Sequence, residues 1–154
     1  MPALHLGVSD VPYSQSKARK KSPRASTVTT GDVAGWLEDE YHILEHFWQQ
    51  HSPDVAADVE NSLRGAVETM FMGGPVNFDP FGGATSEIEK RMKLFISTQE
   101  IELLGYPGIP TQAALRGVNH RKKHPYSKKN KRRPSFIDTG LMESSYKAWA
   151  DGFK

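Results

Sequence analysis

The sequence predicts a mainly α fold: a helical hairpin core with an extended basic N-terminal arm, a basic loop and a short C-terminal segment. Two observations carry that class. Apolar residues recur at three- and four-residue spacing from Val33 to Phe71 and again from Ile88 to Ile96, the period of helices that bury one face. Capping residues, glycines and prolines stand where those stripes begin and end. Residues 144–153, SSYKAWADGF, fit a strand with Tyr146, Ala148 and Ala150 on one side as well as they fit a short helix. A strand there would make the class α+β.

Residues 1–30 read as an extended arm, because Pro2, Pro12 and Pro23 with many Ser, Thr and Lys can neither sustain a helix nor bury apolar area. Residues 31–118 form the expected helical core. Thr30 or Asp32 can cap a first helix, whose stripe is Val33, Trp36, Leu37, Tyr41, Leu44, Phe47 and Trp48. It is expected to end near His51, where Ser52-Pro53-Asp54 opens a second helix with Pro53 in its first turn. The second stripe is Val55, Val59, Leu63, Val67, Met70 and Phe71, and Gly73-Gly74-Pro75 stops it. So short a link predicts a hairpin or sharp corner over 31–72. Phe78 and Phe81 are expected to anchor the next loop. A third helix capped at Thr85 or Ser86 turns Ile88, Met92, Phe95 and Ile96 inward. Ser97-Thr98-Gln99-Glu100 has the capping-box pattern for a short helix to Leu104, and Thr111–Val118 can make two more turns. Residues 119–135 are a basic loop by composition, and 136–154 a C-terminal turn followed by helix or strand.

The chain has 154 residues and no cysteine, which excludes disulfides and thiolate metal sites. Met1–Gly7 lacks the pattern of a secretory signal, and no apolar run approaches the ~20 residues that span a bilayer. A soluble protein made in a cytoplasm, with no membrane partner, is expected. The net charge of +2 conceals a segregation. Residues 1–30 carry five bases against one acid, residues 31–110 four against fourteen, and residues 111–154 eleven against three, giving +4, −10 and +8. Basic arms on an acidic body suit contact with a neighbouring copy's acidic surface or with nucleic acid. The residues expected to make it are Lys17, Arg19, Lys20, Lys21 and Arg24 in the arm, and Arg121, Lys122, Lys123, Lys128, Lys129, Lys131, Arg132 and Arg133 in the loop.

His42-Ile43-Leu44-Glu45-His46 matches the H-x-x-E-H pattern of zinc hydrolases, in which two histidines hold the metal and the glutamate activates water. Counting 100° per residue from Val33, both histidines fall opposite the apolar stripe, onto the solvated face. No metal and no cofactor is therefore expected. In the basic loop, His124 and Tyr126 stand among the charges, a pairing of phosphate-neutralising and stacking groups used for non-specific nucleic-acid contact. No nucleophile elbow, phosphate-binding glycine loop or nucleophilic cysteine is present, so no enzymatic activity is expected.

The run from Arg132 to Ser145, RRPSFIDTGLMESS, resembles the L-I-D-T-G-x-L-x-x-S segment of phage tail-completion and Mu-like virion morphogenesis proteins. Ile137, Asp138, Thr139, Gly140, Leu141 and Ser144 or Ser145 carry the match, and a basic stretch precedes it here as in that family. The physical sense is a tight turn, with Gly140 supplying backbone freedom and Asp138 or Thr139 capping the segment after it. Family members usually continue into β-strands that complete an α+β fold, so the resemblance leaves three outcomes for this chain: those strands are lost, one strand near 144–153 pairs with another subunit, or the likeness is local to this segment. It also implies a non-enzymatic virion protein of the neck, head–tail connector or tail end. Such a protein acts as a homo-oligomeric ring against connector, tube or terminator subunits, and is assembled in the host cytoplasm. A small nucleic-acid-binding protein using residues 119–135 and a zinc hydrolase using His42, Glu45 and His46 are the alternatives.

Overall fold

The computed structural model describes residues 3–13, 28–75, 79–119, 122–137 and 140–152. The fold is mainly helical with one small sheet. In chain order the elements are β1 (Ala3–Val8), α1 (Thr30–Tyr41), α2 (Ile43–Phe71), α3 (Gly82–Ser97), α4 (Glu100–Leu103), α5 (Gln112–Leu115), α6 (Leu141–Ser145) and β2 (Tyr146–Asp151). No helix among the described residues is long and apolar enough to cross a membrane.

The first correction concerns the start of the chain. Residues 3–8 are not part of a free arm: β1 pairs antiparallel with β2, from Ala3 opposite Asp151 to Val8 opposite Tyr146. The C-terminal segment is therefore both helix and strand, and its strand pairs within the chain rather than with another subunit. Tyr146 and Ala148 turn inward onto α3, as the alternation predicts, while Trp149 faces out and stacks on His5. Beyond β1 the chain is tied to the start of α1. The Thr30 hydroxyl, fully buried, donates to the Ser9 carbonyl at 2.5 Å and accepts the Val11 N–H at 2.8 Å. The cap of α1 falls on Thr29, which forms a capping box with Asp32.

The second correction is the position of the corner. The helical path breaks at His42, whose φ of 49° and ψ of 46° are left-handed, and then runs unbroken from Ile43 to Phe71. Two carboxylate oxygens explain the break. Glu38 accepts the Leu44 N–H at 2.8 Å and the Glu45 N–H at 3.2 Å, satisfying two orphan donors of α2 and placing negative charge at its N-terminus. Pro53 lies inside α2. It cannot donate to Gln49, four residues back, but Gln49 is exposed and water can serve its carbonyl.

The hairpin is thus formed by α2 and α3 rather than within 31–72. Antiparallel contacts run from Ser62, whose hydroxyl donates to the Pro80 carbonyl at 2.8 Å, to Asp58, which holds Arg91 at 2.9 Å, to Phe47 against Phe95. His51 closes the far end, its Nε2 3.0 Å from Glu100 and its ring edge-on to Phe95. The core gathers Ile43, Phe47 and Val55 of α2, Ile88, Met92, Phe95 and Ile96 of α3, then Ile101, Ile109, Met142, Tyr146 and Ala148. The α3 stripe is the predicted one. The cap of that helix falls four or five residues earlier than expected, on Phe81 and with no side-chain bond. The Ser97 capping box does not form, since Gln99 caps α4 in a left-handed conformation.

The predicted stripes of α1 and α2 are only half buried. Trp36 (59% exposed) and Trp48 (58%) lie outside the core, as do Leu63, Val67, Met70 and Phe71, the last 88% exposed. Only Ala66 is buried beyond Val55 on α2, because α3 covers the face through Val55, Ser62 and Ala66 and leaves the neighbouring apolar stripe open. Phe78 lies outside the described residues.

Candidate interaction surface

The basic segment is a loop, as its composition predicts, but a pinned one. Its entrance is Gly117, buried and at φ 63°, where a side chain would collide with the Lys131 carbonyl. Within the loop Asn130 donates to the carbonyls of Pro125 at 2.8 Å and His124 at 3.2 Å, and Asn119 N–H reaches Pro125. Its exit is held at Ser135, also buried. The Ser135 N–H donates to both Gln99 Oε1 and Glu102 Oε1 at 2.9 Å, and its hydroxyl accepts the Thr111 N–H at 3.2 Å. Arg132 pairs with the other Glu102 oxygen. Burial pushes the Glu102 carboxyl up, but the two Ser135 hydrogen bonds and Arg132 outweigh it and hold the group below the usual carboxylate range.

This frame sorts the predicted cations. Lys122, Lys123, Lys128, Lys129 and Lys131 are exposed, and none has a carboxylate partner among the described residues. Arg132 is held by Glu102. Arg133 is corrected from a partner contact to an internal strut: its guanidinium donates to the Val118 carbonyl at 2.7 Å and to that of Ile137 at 3.4 Å. Tyr126 stands 73% exposed among the lysines. Lys17, Arg19, Lys20, Lys21, Arg24 and Arg121 lie outside the described residues, as do Asp138 and Thr139 of the family-like turn.

The rest of that turn is placed. Gly140 has φ 76° and itself occupies the cap position of α6. The Ser144 N–H bonds the Gly140 carbonyl at 2.9 Å, and its hydroxyl bonds that of Leu141. Phe136, ahead of the turn, holds φ 63°, a strained value for a bulky residue. Its ring packs edge-on to Tyr41 at 5.2 Å, and with Ile137, Leu37, Val33 and Met142 it walls an apolar cleft of ≈250 Å³.

Of the two histidines that the helical wheel puts on the solvated face, His42 is exposed and His46 is not. His42 occupies the break, exposed, with Nδ1 3.5 Å from Glu45. His46 does not face solvent: it stacks flat on Tyr106, ring centroids 3.4 Å apart and 9° from parallel. The wheel fails because it assumes one helix from Val33 through His46. Among the described residues no three His, Asp or Glu side chains come together in a group that could hold a metal ion.

Sequence reading missed Glu102, Gln99 and Ser135, which fix the loop, and Glu89, which closes one edge of the sheet by accepting the Ala148 N–H at 3.1 Å and pairing with Lys147 at 3.0 Å. No family model, curated protein or solved structure matches this chain.

Proposed function

We propose that this chain is a structural subunit of a tailed-phage neck or tail-completion ring, acting without catalysis. Each copy lays its lysine-bearing loop on the acidic helical body of the next. The observation that carries the reading is the loop itself: five exposed lysines without carboxylate partners among the described residues, on a segment pinned at both ends. The body it would meet carries −10 over residues 31–110. A contact between two different surfaces of one chain is heterologous, and closes into a ring when its rotation allows. The RRPSFIDTGLMESS run supplies the neck or tail assignment. Exposed Leu63, Val67, Met70 and Phe71 support an assembly role, since free monomers rarely show contiguous apolar faces.

Replacing Lys122, Lys123, Lys128 and Lys129 with Glu tests the contact. The unchanged chain is expected to give a ring-sized species by native mass spectrometry at low salt, and the variant a folded chain that gives none. Purified phage particles from cells carrying the gene should contain the protein at fixed stoichiometry; its absence from them would refute the reading. Tyr126 favours a second reading, loose binding of single-stranded nucleic acid by stacking and phosphate contact. Retention of oligonucleotide that weakens steeply with salt and is lost in Tyr126→Ala would support it.

A further inference from the structure

Three hydrogen bonds establish which backbone groups of the small sheet point outward. The Ala3 N–H reaches Asp151 Oδ1 at 3.1 Å and the Ser9 N–H reaches the Ser145 carbonyl at 2.8 Å, so odd-numbered residues of β1 face β2. On the other strand the Ala148 N–H, opposite Leu6, points away from β1 and into Glu89. The N–H and C=O groups of Leu4, Leu6 and Val8 therefore face outward from β1. No hydrogen bond joins those N–H groups to another described residue.

The two edges of the sheet are unlike. That of β2 is plugged by a carboxylate from α3, backed by the Lys147 ammonium. That of β1 has none of the devices that blunt an edge: no proline, no lysine and no bulge within Ala3–Val8. Beside it lies a mostly apolar groove of ≈160 Å³, bounded by Leu4, His5 and Leu6 on the strand and by Phe47, Trp48, Val55 and Ile88 on the helices. Trp48, the exposed wall, is otherwise unexplained. An edge and groove together fit one kind of occupant: an extended segment that hydrogen-bonds β1 and drops alternate apolar side chains into the groove.

We infer that this occupant is the β1 strand of a second copy, paired antiparallel about Leu6 to make a four-stranded sheet across a twofold axis. The register is self-complementary. Leu6 meets its own counterpart, Leu4 meets the partner's Val8, and each pair exchanges both backbone bonds because all three residues present theirs outward. Side chains of opposed residues share a face, so each copy's Leu6 lies toward the other's groove and Trp48. The charged segments of the chain do not suit that apolar lining. The contact is isologous and stops at two copies. It is independent of the ring reading, because it is the state of the free chain and does not depend on charge.

Sedimentation at about 0.5 M salt, where exposed ionic contacts are screened, separates the two. The expected species is a dimer that dissociates on dilution. In the dimer, residue-resolved exchange should show the Leu4, Leu6 and Val8 amides protected along with His5 and Gly7. In dilute monomer the first three should exchange about tenfold faster or more than the other two. Leu6→Pro removes an outward N–H without touching the β2 ladder and should give monomer. Should that variant not fold, Trp48→Lys, an exposed position, should fold and be monomeric. A monomer at all concentrations, a dimer persisting in Trp48→Lys, or protected Leu4, Leu6 and Val8 amides in the monomer would each overturn the proposal. Loss of low-salt assembly in the lysine-to-glutamate variant with the dimer intact would bear on the ring alone.

Discussion

Glu102→Gln is the sharpest probe of how the basic loop is held. The Glu102 side chain is 7% exposed, accepts the buried Ser135 N–H and pairs with Arg132. The Arg132 half of the interaction is exposed and contributes little. The hydrogen bond to an ionised acceptor is the larger part, about 1.5–3 kcal/mol. Gln99 shares the same N–H, which places the expected loss at the lower end, roughly 1.5–2 kcal/mol. For a chain of this size that is a fall in Tm of about 3–8 °C. The pH dependence gives a second readout. The folded-state carboxyl is held below its ordinary value, so its contribution is complete above the ordinary glutamate range near pH 4.3. It is lost as pH falls through the depressed folded value. Wild type and Glu102→Gln should therefore differ at pH 7 and converge in acid. Thermal melts in which the gap is absent at neutral pH, or constant down to pH 3, would refute the account of the loop's exit.

Other consequences are equally direct. Phe47→Ala should cost about 3–5 kcal/mol by denaturant titration, whereas Leu63→Ala, at a position 39% exposed, should cost under about 1.5. His46→Ala should lose about 0.5–1.5 kcal/mol through the Tyr106 stack, and His42→Ala, exposed at the break, should change chemical stability little. Gly117→Ala should destabilise the fold by more than about 1 kcal/mol and speed amide exchange across 122–131, because both its φ and the Lys131 carbonyl exclude a side chain.

The third helix was legible because its stripe, Ile88, Met92, Phe95 and Ile96, is wholly buried and no competing break signal interrupts it. The corner was not. Pro53 reads as a helix start, and the actual break at His42 is decided by Glu38 reaching forward to Leu44 and Glu45 and by Tyr106 covering His46. Neither Glu38 nor Tyr106 announces that role in a periodic pattern. The strand β1 left a faint signal, since Leu4, Leu6 and Val8 alternate with Ala3, His5 and Gly7. Its partner lies near the other end of the chain, and six residues of alternation do not make a strand without one.

Composition reveals that residues 119–135 are basic, but not which cations are free. Arg132 and Arg133 are adjacent and identical in type, yet one pairs with Glu102 while the other turns inward to two carbonyls. The difference arises from the backbone. The Ser135 N–H is taken by Gln99 and Glu102 and the Arg133 N–H by the Ala114 carbonyl at 2.9 Å, so the chain is anchored on either side of Pro134 and the two guanidinium groups meet different partners. Arg133 then faces the Val118 carbonyl, and Arg132 faces α4. The five lysines precede these anchors in sequence and are exposed. The end of the loop that carries them is fixed at Ser135 by a carboxylate 33 residues away in sequence, a tie that composition alone does not reveal.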